Sequence, residues 1–229
     1  LHDLQMILRA LRGVHGLLYG VDVPVTGTMP ASGLPDSEIP GVRLGRSGVA
    51  EKLFSLDKRN FRECQKVFRG ERSQEYYLGD FWIEDATVID VRSERKAVGP
   101  ISIIRQRSAT NLYFRRTRQH IREDATDLSI LWFVKQGKLT FSNQCGNKAA
   151  LPGDFAITRS MSPFFIECQT DQDSAHEVLH VTVPTHILRA HIPQDFNTGL
   201  FMLANRPELA IAENILTEVF EDTGELCAE

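Results

Sequence analysis

A series of short β-rich runs between Phe81 and Pro184 constrains this 229-residue chain more than any other feature. Phe81 to Asp90, GPISIIRQR, LYFRRTRQHI, LSILWFVK, KLTFSN, FAITR, FFIECQ and EVLHVTVP are rich in β-branched and aromatic residues, and turn signals separate several of them. Gln136-Gly137, Gly146-Asn147 and Pro152-Gly153-Asp154 tolerate positive φ or preset a turn, so LSILWFVK through FAITR reads as a meander of hairpins. Many short strands in series predict a sandwich or a barrel.

Helical patterns flank this region. Asp57 to Phe68, DKRNFRECQKVF, places Phe61, Cys64, Val67 and Phe68 at helical spacing behind an Asp cap. After Pro184, HILRAHI and PELAIAENILTEVFED read as helices. In the second, Leu209, Ala212, Leu216, Val219 and Phe220 form an apolar stripe bordered by Glu208, Glu213, Glu218 and Glu221, which suits either a cap on the barrel or a dimer helix. At the other end, Leu1, Leu4, Leu8, Leu11 and Leu18 make an amphipathic seam, and six glycines and four prolines from Gly20 to Gly48 make an irregular extension. The expected organisation is an N-terminal helix and Gly/Pro-rich extension over 1–50, a barrel over 51–193 and a helical dimerisation or linker region over 194–229.

Composition narrows the function classes. With 42% hydrophobic and 24% charged residues and a net charge of -4, the chain has a globular composition that demands no nucleic-acid partner. No apolar run reaches the roughly 18 residues of a membrane span. Asp3, Arg9 and Arg12 interrupt the apolar N-terminus, which therefore lacks the continuous core of a signal peptide. Cys64, Cys145, Cys168 and Cys227 are scattered, with no CxxC, so reduced thiols and a cytoplasmic location are expected.

A metal-holding barrel of this kind needs two histidines and a carboxylate on one strand pair and another histidine after the Pro-Gly turn. Here Pro163 is followed by Phe164, HxH is absent, and His176 and His180 are about 13 Å apart along one strand face. No metal and no cofactor are expected. From Pro100 to Arg122, Arg105, Arg107, Arg115, Arg116, Arg118 and Arg122 occur without an acidic residue. That stretch is either a phosphate-binding surface or a solvated face offset by Glu123, Asp124, Glu167, Asp171, Asp173 and Glu177. One inward arginine, Arg116 or Arg118, is a candidate for a two-pronged pair with a ligand carboxylate. Trp132, Phe133, Phe141, Phe155, Ile157, Phe164 and Phe165 provide an aromatic and aliphatic lining suited to a small apolar or aromatic molecule. No nucleophile motif is present.

RRTRQHIREDATDLSILWFVKQGKLTF, then KAALPGDFAITRSMSPFFIECQ and EVLHVTVPTHIL, resemble the sensory domain of AraC-type transcription regulators, in the subgroup that opens with a helix like DKRNFRECQKVF. The resemblance covers about Phe54 to Pro193. It implies an α+β, mainly β cupin-like (jelly-roll) barrel with N-terminal and C-terminal helices. It further implies a small organic effector, aromatic or carboxylate-bearing, held in place of a metal, and a homodimer that reads DNA through a C-terminal helix-turn-helix domain. That domain is absent from this chain, which ends at Glu229 about where the DNA reader would begin. The ligand-binding candidates are Arg116, Arg118, Trp132, Phe155, Phe164, Glu177 and His180, and the dimer candidates are Leu209, Ala212, Leu216, Val219 and Phe220. An enzyme is not expected; the competing readings are a degenerate metalloenzyme using His120, Glu177 or His180, and an interaction module without a ligand.

Overall fold

Alternation of inward and outward side chains decides how the short runs assemble. The computed structural model describes residues 49–68, 77–171, 175–188, 199–204 and 207–222. The expected N-terminal helix and Gly/Pro-rich extension lie outside the described residues, save Val49 and Ala50. Twelve strands are formed among the described residues: β1 (Glu51–Asp57), β2 (Asp80–Ile83), β3 (Asp90–Val98), β4 (Ile101–Ser108), β5 (Leu112–Arg116), β6 (Leu128–Gln136), β7 (Lys138–Asn143), β8 (Gly146–Ala150), β9 (Phe155–Arg159), β10 (Phe164–Gln169), β11 (His176–Pro184) and β12 (Leu200–Leu203). They build a seven-stranded sheet in the order β1-β3-β4-β11-β6-β9-β12 and a five-stranded sheet in the order β2-β5-β10-β7-β8. All pairings are antiparallel. The sheets pack face to face as a jelly-roll-like sandwich, with Ile104, Ile130, Trp132 and Val178 of one against Phe81, Leu112, Phe114, Phe141 and Ile166 of the other.

The turns follow from their residues. Gly137 joins β6 to β7 at φ +77, and a Cβ there would lie 2.5 Å from the Gln169 carbonyl, so both conformation and space require glycine. In the Pro152-Gly153-Asp154 turn Gly153 takes φ +87, while the Asp154 carboxylate accepts from the Leu151 N–H at 2.9 Å.

Helices close the sandwich. Phe61–Phe68 is a 3-10 helix, and the three-residue repeat of Phe61, Cys64 and Val67 matches its three residues per turn. The expected strand over LYFRRTRQHI ends at Arg116, and α1 (Arg118–Asp124) follows. Thr117 forces the change by capping it: its Oγ1 accepts from the His120 N–H at 3.4 Å, and His120 Nδ1 accepts from the Thr117 N–H at 3.1 Å. His120 is therefore helical and not a strand residue. HILRAHI contributes α2 (Thr185–Leu188) within the described residues. The region after 193, expected to be helical, first returns to the sheet as β12 beside β9, then forms α3 (Pro207–Glu221).

A second apolar core lies on the outer face of the seven-stranded sheet. Leu209, Ala212, Leu216, Val219 and Phe220 of α3 are all at most 8% exposed there, against Ile103, Leu131, Phe133, Phe155, Leu179 and Val181. Burying each larger apolar side chain contributes on the order of 1.5–3 kcal/mol, which anchors the helix within its own chain. Of the two arrangements open from sequence, the cap on the barrel is the one found. The five dimer candidates are consequently not presented to a second copy. The fully buried Lys96 secures the helix end by donating to the Asp222 carbonyl at 2.5 Å, and the Arg105 guanidinium sits 4.7 Å from the Phe220 ring. No described helix is long and apolar enough to cross a membrane.

Candidate functional site

Residue parity along the strands separates the candidates. Trp132 on β6 and His180 on β11 are direct cross-strand partners, both face the inside of the sandwich, and their rings lie 4.8 Å apart. They line an internal cavity of about 40 Å³ together with Phe68, Tyr77, Phe114, Gln106, Ile166 and Cys168. The indole N–H of Trp132 is already committed to Thr158 Oγ1 at 2.8 Å, which fixes the ring and leaves its face to the cavity. Burial pushes the His180 imidazole down to about 3 and the Cys168 thiol up to about 12, so both are neutral near pH 7.

The remaining five candidates lie elsewhere. Phe164 faces inward but packs in the aromatic core, 6.0 Å from Tyr77 and 5.9 Å from Phe114. Arg116 is fully buried and makes a bidentate pair with Asp124 at 2.7 and 2.8 Å. The same guanidinium donates to the carbonyls of Leu78, at 2.6 Å, and Ser160, and lies 5.0 Å from the Tyr77 ring. Its donors are thus taken up inside the chain, where they hold Tyr77 and Leu78 beside the cavity. Arg118 is exposed on α1 and borders an open surface groove with Arg115, Ser142 and Phe165. Phe155 and Glu177 point to the other side of the sheet. Phe155 packs under α3, 5.0 Å from Phe133, and Glu177 pairs with Arg107 at 2.9 Å. A one-residue change of parity moves a side chain across a sheet, which is why both miss the interior.

Four of the six arginines of the basic stretch form ion pairs. Arg105 meets Glu94 at 2.9 Å and Glu221 at 3.3 Å, Arg107 meets Glu177, Arg115 meets Asp80 at 2.8 Å, and Arg116 meets Asp124. The offset face is the arrangement found, with Asp124 and Glu177 among the acids anticipated for it. Asp124 shows the balance of forces: burial pushes its carboxyl up, but hydrogen bonds from Arg116, Thr126 and Leu78 outweigh this and hold it below the ordinary carboxylate value.

The residues of the competing metalloenzyme reading do not converge. His120 lines a polar surface depression of about 330 Å³ with Asp80, Arg115 and Gln119, His180 faces the interior, and Glu177 faces outward. Among the described residues no three His, Cys, Asp or Glu side chains gather as a metal site would require.

Sequence reasoning missed Gln106, Cys168, Phe68 and Tyr77 as cavity residues. The signal for Gln106 was available, since Arg105 and Arg107 share one face of β4 and leave Gln106 on the other. Tyr77 carried no such signal because it precedes β2 and is placed by Arg116.

No protein-family model and no curated protein matches the sequence. Among solved structures, the AraC-like transcriptional activator CuxR superposes with a TM-score of 0.52 at 15% identity, over 77% of this chain and 63% of its own. The chain shares the fold of an AraC-like activator. It spans less than two thirds of that activator's length. YhaK from Escherichia coli (TM-score 0.34, 14% identity, 50% of this chain and 44% of its own) and a Cupin 2 conserved barrel domain protein from Salinispora arenicola (TM-score 0.32, 11% identity, 44% and 82%) also match.

Proposed function

We propose that this chain is the effector-binding sensory domain of an AraC-type transcription regulator, without enzymatic activity. The observation that carries the reading is the cavity flanked by Trp132 and His180 in a barrel that shares its fold with an AraC-like activator. A small organic molecule held there shifts a two-state equilibrium, which requires different affinities for the two states. The output is DNA binding by a helix-turn-helix domain outside this chain, in a homodimer whose contact surface is other than the apolar stripe of α3. Reading the source gene beyond the codon for Glu229 tests the proposal. A continuing frame with two helix-turn-helix patterns is the expected result, and a stop codon directly after Glu229 would overturn it.

A further inference from the structure

The resemblance leaves open whether the effector is an aromatic molecule or a carboxylate, and the cavity wall distinguishes the two. The strands supply Trp132, His180, Gln106, Ile166 and Cys168 to it, and no described lining residue is Lys, Arg, Asp or Glu. Arg116, the fully buried cation beside the cavity residue Tyr77, directs its donors to the Asp124 carboxylate and to the carbonyls of Leu78 and Ser160. A ligand carboxylate or ammonium entering the cavity would leave water without meeting an opposite charge, which is strongly unfavourable. The Gln106 amide is bonded to no described residue, and it supplies both a donor and an acceptor to a wall whose other described members are aromatic and aliphatic side chains, the neutral His180 imidazole and the Cys168 thiol. Resting on the sensory reading above, we propose that this cavity takes a small uncharged molecule, an apolar body bearing one hydrogen-bonding group addressed to Gln106, and excludes carboxylates and amines of the same shape.

At roughly 30 Å³ per water the cavity of about 40 Å³ has room for about one, so a ring-sized ligand requires its wall to open, and Tyr77 and Phe68, which come from outside the barrel strands, are the lining residues assigned that movement. The test uses three probes of one shape and different charge: benzamide, benzoate and benzamidine. Their binding to the full chain is followed through Trp132 fluorescence in a Trp82→Phe background, with and without Tyr77→Ala to widen the cavity. Benzamide is expected to bind saturably, at least tenfold more tightly than either ion. Gln106→Glu should move the preference to benzamidine, and Gln106→Leu should weaken benzamide while both ions stay excluded. Benzoate or benzamidine binding as tightly as benzamide, or no saturable binding by any probe in either background, overturns the proposal. A promoter reporter driven by the whole regulator separates this failure from that of the sensory reading. Selective benzamide binding with a silent reporter refutes only the sensory role, and a reporter that answers to carboxylates refutes only the uncharged class.

Discussion

Replacing Asp124 with alanine leaves the Arg116 guanidinium buried with carbonyl partners and no counter-charge, which costs about 3–5 kcal/mol. Urea melts of Asp124→Ala against the parent chain measure it, and a loss under 1 kcal/mol would mean that the pair is dispensable. The acid limb of stability has two sources with different windows. The Asp124 carboxyl titrates below its ordinary value when folded, so its contribution is complete above pH about 4 and is lost as pH falls through the folded value. Burial lowers His180 to about 3 and His176 to about 4, so the unfolded chain takes up these protons first. Their contribution is complete above pH about 6.5 and declines on acidification at about 1.4 kcal/mol per pH unit for each imidazole. His180→Phe should flatten the decline between pH 6.5 and 4.5, and an unchanged slope in urea midpoints would count against the burial argument. At this scale the site was half legible. Trp132 and His180 could be named because aromatic and polar residues inside β-runs stand out, whereas Arg116 looked like a ligand anchor because its partner Asp124 lies on a helix that the sequence did not reveal.

The elements were legible where one face is apolar and opaque where charges pair across strands. β6 and β11, the two adjacent strands buried on both faces, show as continuous apolar runs. β3, DVRSERKAV, did not show, because Glu94 and Arg95 look like loop residues until Arg105 and Glu51 are placed beside them. Helix α1 was hidden because its start depends on a Thr117 and His120 cap, without the acidic residue that usually marks one. The stripe of α3 was correctly read as apolar, but amphipathicity does not say which surface covers it. Since the sheet does, Leu216→Asp should destabilise the chain by about 3–5 kcal/mol. Sedimentation beside urea melts decides the point: a normally stable variant of halved mass would return these residues to a dimer face.

Across the whole molecule, the seven-stranded sheet is a shared wall. Its inner face carries Trp132 and His180 toward the cavity, and its outer face carries Leu131, Phe133, Leu179 and Val181 toward α3. Amide exchange should therefore be slowest in β6 and β11, paired on both sides and covered on both faces, and fastest among the described strands in the exposed edge strand β8. Protection in β8 equal to that in β11 would require a covering surface absent from the described residues. The two-sided strands also have a consequence for descent with modification. Along β6 and β11, alternate codons answer to different demands: one set shapes the wall of the cavity, and the other shapes how firmly α3 is seated. On the sensory reading proposed above, adjacent positions could thus change the chemical preference of a lineage without altering its mechanical response, or retune the response without changing the preference.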